Sequence, residues 1–157
     1  MSDYRTIMVP YDFSAHAEAA LRIAADLGRH LGSDLHLVHV IQPPSYAFAY
    51  GTYGGAATPA IDMHAVCEGA LKSLRSIADS IEDVVPGRIE PHVVEGTGVA
   101  DSLRESADEL GADLIVMGTH GRTGLAHVFL GSVAERTLRR ARCPVLTVQA
   151  AEGQESR

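Results

Sequence analysis

Lysine is almost missing: Lys72 is the single one in 157 residues. That scarcity removes the Walker-type nucleotide binders. No Gly-Lys-Ser/Thr follows any glycine cluster, and Lys72 sits inside an amphipathic helical pattern. Cysteine is nearly as scarce, with Cys67 and Cys143 far apart and no CxxC spacing. A disulfide scaffold is therefore excluded, and a reducing cytosol is the expected compartment. No apolar run approaches the ~18 residues of a membrane span, and Met1 to Arg5 leads straight into a short apolar run without a secretory pattern. Positive charge is also in deficit, with a formal net charge of −7. A broad basic face for nucleic acid is not expected, nor is a membrane partner. The cations present are nearly all arginines. Arg136, Arg139, Arg140 and Arg142 cluster where a helix C-terminus would accept positive charge.

What is present reads as one domain of ordinary globular composition, 46% hydrophobic and 21% charged. Thr6–Pro10 predicts a first buried strand, with Asp12 just past its end and Ser14 able to cap the helix that follows. Ala17, Ala20, Leu21, Ala24, Leu27 and Leu31 recur at helical spacing up to Gly32. Leu35 to Ile41 is a second strand. Gln42 to Ala60 breaks the pattern with prolines, glycines and the aromatics Tyr46, Phe48, Tyr50 and Tyr53. A loop of that length is either functional or an insertion with a few residues packed down. Met63 to Ile81 gives the cleanest amphipathic helix. Ile89 to Val94 is a third strand, and Pro91 places it at an edge. A helix carrying Ala100, Leu103, Ala107 and Leu110 closes at Gly111. A fourth strand, a glycine loop, a short helix and Pro144 to Val148 complete the order β-α-β-α-β-α-β-α-β. Such alternation predicts a parallel five-stranded sheet with helices on both faces, a three-layer α/β sandwich. Ligands of such sheets lie beyond the carboxyl ends of the strands, where the winding reverses. Asp12, Val40 and Gly118 all fall at such ends. The polar tail, residues 150–157, is expected to fray.

The segment from Ala112 to Val148 carries the chemistry. The apolar run Leu114 to Met117 stops at Gly118. Gly121, Gly124 and Gly131 follow, and Ser132 opens a helical pattern. Glycines let backbone amides approach a phosphate, and a helix start adds unpaired donors and partial positive charge. Ser132 offers both its N–H and its hydroxyl. Equally, Ser132-x-x-Glu135 has the form of a capping box that needs no ligand. Asp12 either accepts from a ribose hydroxyl or caps the first helix. Val40 and Met117 form a candidate apolar slot for a purine. Arg122 is either a phosphate contact or a solvated loop residue. The eight histidines give no ligand set by spacing: His36 and His39 face opposite sides of their strand, and His120 and His127 belong to the glycine loop. No nucleophile–base pair stands out, and the first strand lacks the GxGxxG of a dinucleotide fold.

Gly118-x-x-Gly121, then nine residues, then Gly131-Ser132 resembles the loop of the universal stress protein family. The resemblance extends from Tyr4 to about Gln149. It includes VPYDFS with Asp12, the LVHV strand, IVMGTHGRTG and LGSVAERTLRRARCPVLTV. It implies a single domain over residues 1–149, with a small Rossmann-like sandwich of the adenine-nucleotide-hydrolase type. It also implies the ATP-binding branch of the family. Asp12 and Val40 would lie by the adenosine near Pro10 and Met117, and Gly118, Gly121, Gly131, Ser132 and Val133 would hold the phosphates. A Mg²⁺ or Mn²⁺ ion would arrive with the nucleotide. A homodimer through the Val145–Val148 edge and a stress-regulatory role are further implications. The chain reads as a binding module with at most slow hydrolysis. A dimeric interaction protein with a vestigial pocket and a slow ATPase or phosphotransferase are the alternatives.

Overall fold

A computed structural model describes residues 4–43, 61–120 and 130–150. The aromatic stretch Tyr46 to Tyr53, Gly121, Arg122, Gly124, His127 and residues 151–157 lie outside the described residues. The elements are β1 (Thr6–Pro10), α1 (Ala15–Leu31), β2 (Asp34–Ile41), α2 (Met63–Asp79), β3 (Ile89–Glu95), α3 (Val99–Leu110), β4 (Leu114–Gly118), α4 (Ser132–Arg140) and β5 (Val145–Val148). All strand pairs are parallel, in the order β3-β2-β1-β4-β5. The chain winds outward from β1 to β3, then returns to the other side of β1 for β4 and β5. The reversal lies between β1 and β4, the place where sheets of this type receive their ligands.

Local chemistry sets the boundaries. Ser14 caps α1, its hydroxyl accepting from the Ala17 N–H at 3.1 Å. Gly32 and Gly111 end α1 and α3 in the left-handed conformation, φ 69° and 64°. Pro91 pairs with Leu37 on the outermost strand, β3, where an absent donor costs no second ladder.

The sheet separates two apolar cores. Ile7, Val9, Leu35, Leu37, Leu114 and Val116 pack beneath α1 and α2. Met8, Val38, Ile115 and Met117 pack with Leu103, Ala107 and Ala134 of α3 and α4. Alternation along each strand sends neighbours to opposite layers, as a sheet covered on both faces requires. The α2 helix departs from expectation. Its pattern is the cleanest in the chain, yet only Leu74 and Ala78 are fully buried, and Val66 remains 42% exposed. The helix covers the β2–β3 margin, and its amino half stands over a cleft.

Thr137 of α4 is 1% exposed, and its hydroxyl meets no partner among the described residues. A buried hydroxyl without a partner carries a desolvation cost of about 1 kcal/mol. Thr137→Val, of nearly equal shape, is expected to raise the thermal midpoint by about 2–4 °C in a scanning calorimetry comparison. An unchanged or lower midpoint would show the hydroxyl to be satisfied.

Candidate functional site

Three segments meet at the reversal point. The turn after β1 packs on the end of β2: the Tyr11 N–H donates to the Val38 carbonyl at 2.8 Å, and His39 Nδ1 donates to the Tyr11 carbonyl at 2.7 Å. Phe13, between Asp12 and the Ser14 cap, has φ 65°. A phenylalanine in the left-handed region is a strained conformation that its surroundings must hold. Edge-on contacts with Tyr11 at 5.3 Å and His39 at 5.0 Å do so. The turn fixes Asp12, whose Oδ1 accepts from the Ser14 N–H at 3.0 Å. Asp12 therefore supports the entry to α1 rather than the helix's own first turn, which Ser14 caps. Burial raises the Tyr11 phenol pKa, with Glu18 and Asp12 adding to the shift, so the ring stays neutral at the base of the turn.

The end of β4 reaches the same place. A Cβ on Gly118 would stand 2.7 Å from His16 Cβ and 2.8 Å from the His16 carbonyl carbon. The first turn of α1 thus demands a glycine at this position on packing grounds alone, apart from any approach of a phosphate. His16 and His120 lie with ring centroids 5.2 Å apart, and the Ala150 N–H donates to His16 Nδ1 at 3.1 Å. The tail of β5 is thereby docked on the same helix start. Thr119 bonds to β5 through its N–H to Val148 at 2.9 Å, and its carbonyl accepts from the Gly131 N–H at 2.7 Å. That last bond closes the glycine loop at its base and commits one of the amides expected for phosphate.

The start of α4 differs from the expected capping box. Gly131, not Ser132, is the N-cap, and no side chain caps it. Ser132 is already helical, so its hydroxyl is in the wrong position to close the box. Glu135 does not reach back; its carboxylate pairs with Arg139 at 2.9 Å. The first helical bond is Glu135 N–H to the Gly131 carbonyl at 2.9 Å. Among the described residues, no hydrogen bond occupies the N–H groups of Ser132 and Val133. With the Ala134 N–H, likewise without a partner among the described residues, these uncapped donors at a helix start, carrying the positive end of its dipole, form an anion-binding arrangement.

The remaining expected residues divide. Pro10 ends β1, opposite Val38. Val40 lines a cleft of about 610 Å³ with Phe13, His39, Ile41, Val66 and Ala70, a size suited to a small ligand. Met117 does not line it. It is 4% exposed and its side chain fills the second core, so it gives no open wall to a purine slot. Phe13, His16 and His39 are the residues the sequence reading missed. The position of His16, four residues after Asp12 and in the first turn of the helix, was the available signal. A second omission is a contact between His36 and His92 across strands, at 2.9 Å. Burial and the facing His92 ring lower the His36 pKa against the opposite pull of Glu90 and Asp34.

The match to known proteins follows this architecture. Residues 3–149 match the family model described as the universal stress protein family. Universal stress protein MJ0531 of Methanocaldococcus jannaschii is 32% identical over 148 residues, covering 93% of this chain and 82% of that protein. Among solved structures, hypothetical protein MJ0577 aligns with a TM-score of 0.78 and 26% identity, over 96% of this chain and 99% of its own. A universal stress protein in complex with cAMP aligns at 0.65 with 27% identity, over 94% and 98%. The universal stress protein from Archaeoglobus fulgidus in complex with dAMP aligns at 0.63 with 26% identity, over 92% and 98%. With this sheet order, a relative 32% identical and a family-model match spanning almost its whole length, this chain belongs to the universal stress protein family.

Proposed function

We propose that this protein binds an adenine nucleotide, ATP in the first instance, at the carboxyl ends of β1, β2 and β4, and acts as a nucleotide-responsive regulator. The observation that carries the reading is the pair of unoccupied N–H groups, Ser132 and Val133, at an uncapped helix start beside the reversal point. The phosphates lie on these amides, beside the loop that runs from Gly118 through Gly121 to Gly131. The Gly131 N–H is held by the Thr119 carbonyl, so this residue contributes by its position rather than as a donor. Pro10 and Asp12 border the ribose, and the purine lies against Val40 in the cleft beside Phe13. Met117 contributes through its backbone position next to Gly118. A Mg²⁺ or Mn²⁺ ion travels with the phosphates and is held largely by them and by water. Two family members solved with cAMP and with dAMP support an adenine ligand.

Catalysis is at most slow hydrolysis. Among the described residues, three of the four arginines at the end of α4 and just past it are engaged in ion pairs with carboxylates. Arg139 pairs with Glu135, Arg140 with Asp101 and Arg142 with Asp108, while Lys72 is exposed on α2. We assign the homodimer seam to β5, a four-residue edge strand whose Leu146 is 40% exposed. Cytoplasmic residence belongs to the same proposal. Among the described residues no helix is long and apolar enough to cross a membrane.

Calorimetric titration of dialysed protein with ATP, dAMP and cAMP tests the reading. Saturable binding of ATP with Mg²⁺ is expected, and weaker binding of the monophosphates, which offer fewer oxygens to the α4 amides. Flat heats from folded protein for all three would end it.

A further inference from the structure

The parallel register of β2 and β3 sets His36 opposite Glu90 and Val38 opposite His92. All three polar side chains share the face of the sheet on which Met8 and Val38 pack, away from the nucleotide crevice and at the edge strand. His36 Nδ1 stands 2.9 Å from His92 Nε2. Glu90 Oε2 stands 3.8 Å from the first nitrogen and 4.0 Å from the second. We propose that His36, Glu90 and His92 form a site for a divalent transition-metal cation, zinc fitting best, which ties the edge strand β3 to β2.

The geometry is close to what such an ion needs. Zinc–nitrogen and zinc–oxygen bonds of about 2.0–2.2 Å in a tetrahedron put ligand atoms roughly 3.3 Å apart. The observed separations straddle that value, so each side chain moves by about half an ångström or less to close on the ion. Without an ion the cluster is half satisfied. The two rings share one hydrogen bond, and the Glu90 oxygen is near both yet beyond hydrogen-bond reach of either. A cation replaces the shared proton and engages the oxygen at once. Two imidazoles and a carboxylate favour zinc and its neighbours over magnesium or calcium, which seek oxygen ligands throughout.

The surroundings orient the donors. Arg88 Nη1 donates to the other Glu90 oxygen at 3.1 Å, and Nη2 donates to Asp34 at 2.9 Å. The Arg88 backbone N–H donates to Asp34 at 2.8 Å. The first bond holds the Glu90 carboxylate from behind, and the other two anchor Arg88 on Asp34. Oε2 is left on the side of the rings, an arrangement that supports metal ligands elsewhere. His36 is nearly enclosed, its side chain 10% exposed, while those of Glu90 and His92 are 41% and 30% exposed. The open side gives the ion a path in and a water the fourth position.

The test uses the whole chain, freed of metal by chelation and dialysis and without nucleotide. Zinc is titrated in competition with a chromophoric chelator, and cobalt(II) is added separately to read its visible bands. Because His36 is buried, the variants are His92→Gln and Glu90→Gln on the edge strand. Their folding is checked by circular dichroism. Wild type is expected to bind one zinc per chain, with a raised thermal midpoint and tetrahedral cobalt bands. Each variant should weaken zinc by at least about tenfold and lose the bands. His64 and Glu68, exposed and one turn apart on α2 at 3.7 Å, are the competing surface pair. His64→Ala is expected to leave the tight ion in place. Equal affinity in wild type and folded His92→Gln, or loss of the ion only in His64→Ala, would overturn the assignment.

Discussion

Ser132→Pro is expected to weaken ATP binding by about ten- to a hundredfold while leaving the fold intact. The first helical position is where proline is best accepted, because the N–H it lacks has no partner within the helix. Gly131, the residue before, has φ −69° and ψ 156°, the extended conformation that a following proline requires. The substitution therefore deletes one amide donor and one hydroxyl without unwinding α4. A hydrogen bond to a charged group contributes about 1.5–3 kcal/mol, hence the factor expected. Gly131→Lys would be a blunter choice. Its Cβ would lie 3.0 Å from the Thr119 carbonyl oxygen, so loop closure and phosphate space would be disturbed together. Isothermal titration of folded Ser132→Pro with unchanged affinity would place the phosphates elsewhere.

Gly118→Ala is expected to destabilise the protein by about 2–3 kcal/mol, a fall of roughly 5–10 °C in thermal midpoint. The added methyl would enter at 2.7 Å from His16 Cβ and 2.8 Å from its carbonyl carbon. Half of that obstruction is main chain, so no rotamer of His16 relieves it. The first turn of α1 must move off the end of β4, and the Ala150–His16 bond of the β5 tail moves with it. Urea unfolding of the two proteins measures the loss. A midpoint like that of wild type would show that α1 gives way freely and that Gly118 is held for the ligand alone.

These two residues show where the sequence was legible. The order of elements, the parallel sheet and the edge position of β3 followed from apolar runs, two left-handed glycine stops and Pro91, all local signals. The placement of Asp12, Val40 and Gly118 at or just past the carboxyl ends of β1, β2 and β4 followed as well, from the β-α alternation. Contacts between elements were not readable in the same way. The packing demand on Gly118 was not legible beside its ligand role, because the partner, His16, lies on a helix distant in sequence. Ser132 and Glu135 matched a capping box, but the box depends on which residue is the cap, and the Thr119–Gly131 bond moved the start of α4 back by one. Met117 read as slot-lining because alternation does not say how deep a layer is. The His36–His92 contact needed the β2–β3 register, which no spacing within either strand contains. In α2 the reverse occurred: a strong amphipathic pattern specified a face, while the margin it covers left much of that face open.

The most direct measurement of the central claim is a two-dimensional amide spectrum of isotope-labelled protein during addition of ATP with Mg²⁺. The largest shifts are predicted at the Ser132 and Val133 amides, with smaller ones at Asp12 and Val40. Shifts confined to other surfaces, with Ser132 and Val133 unmoved at saturation, would contradict it.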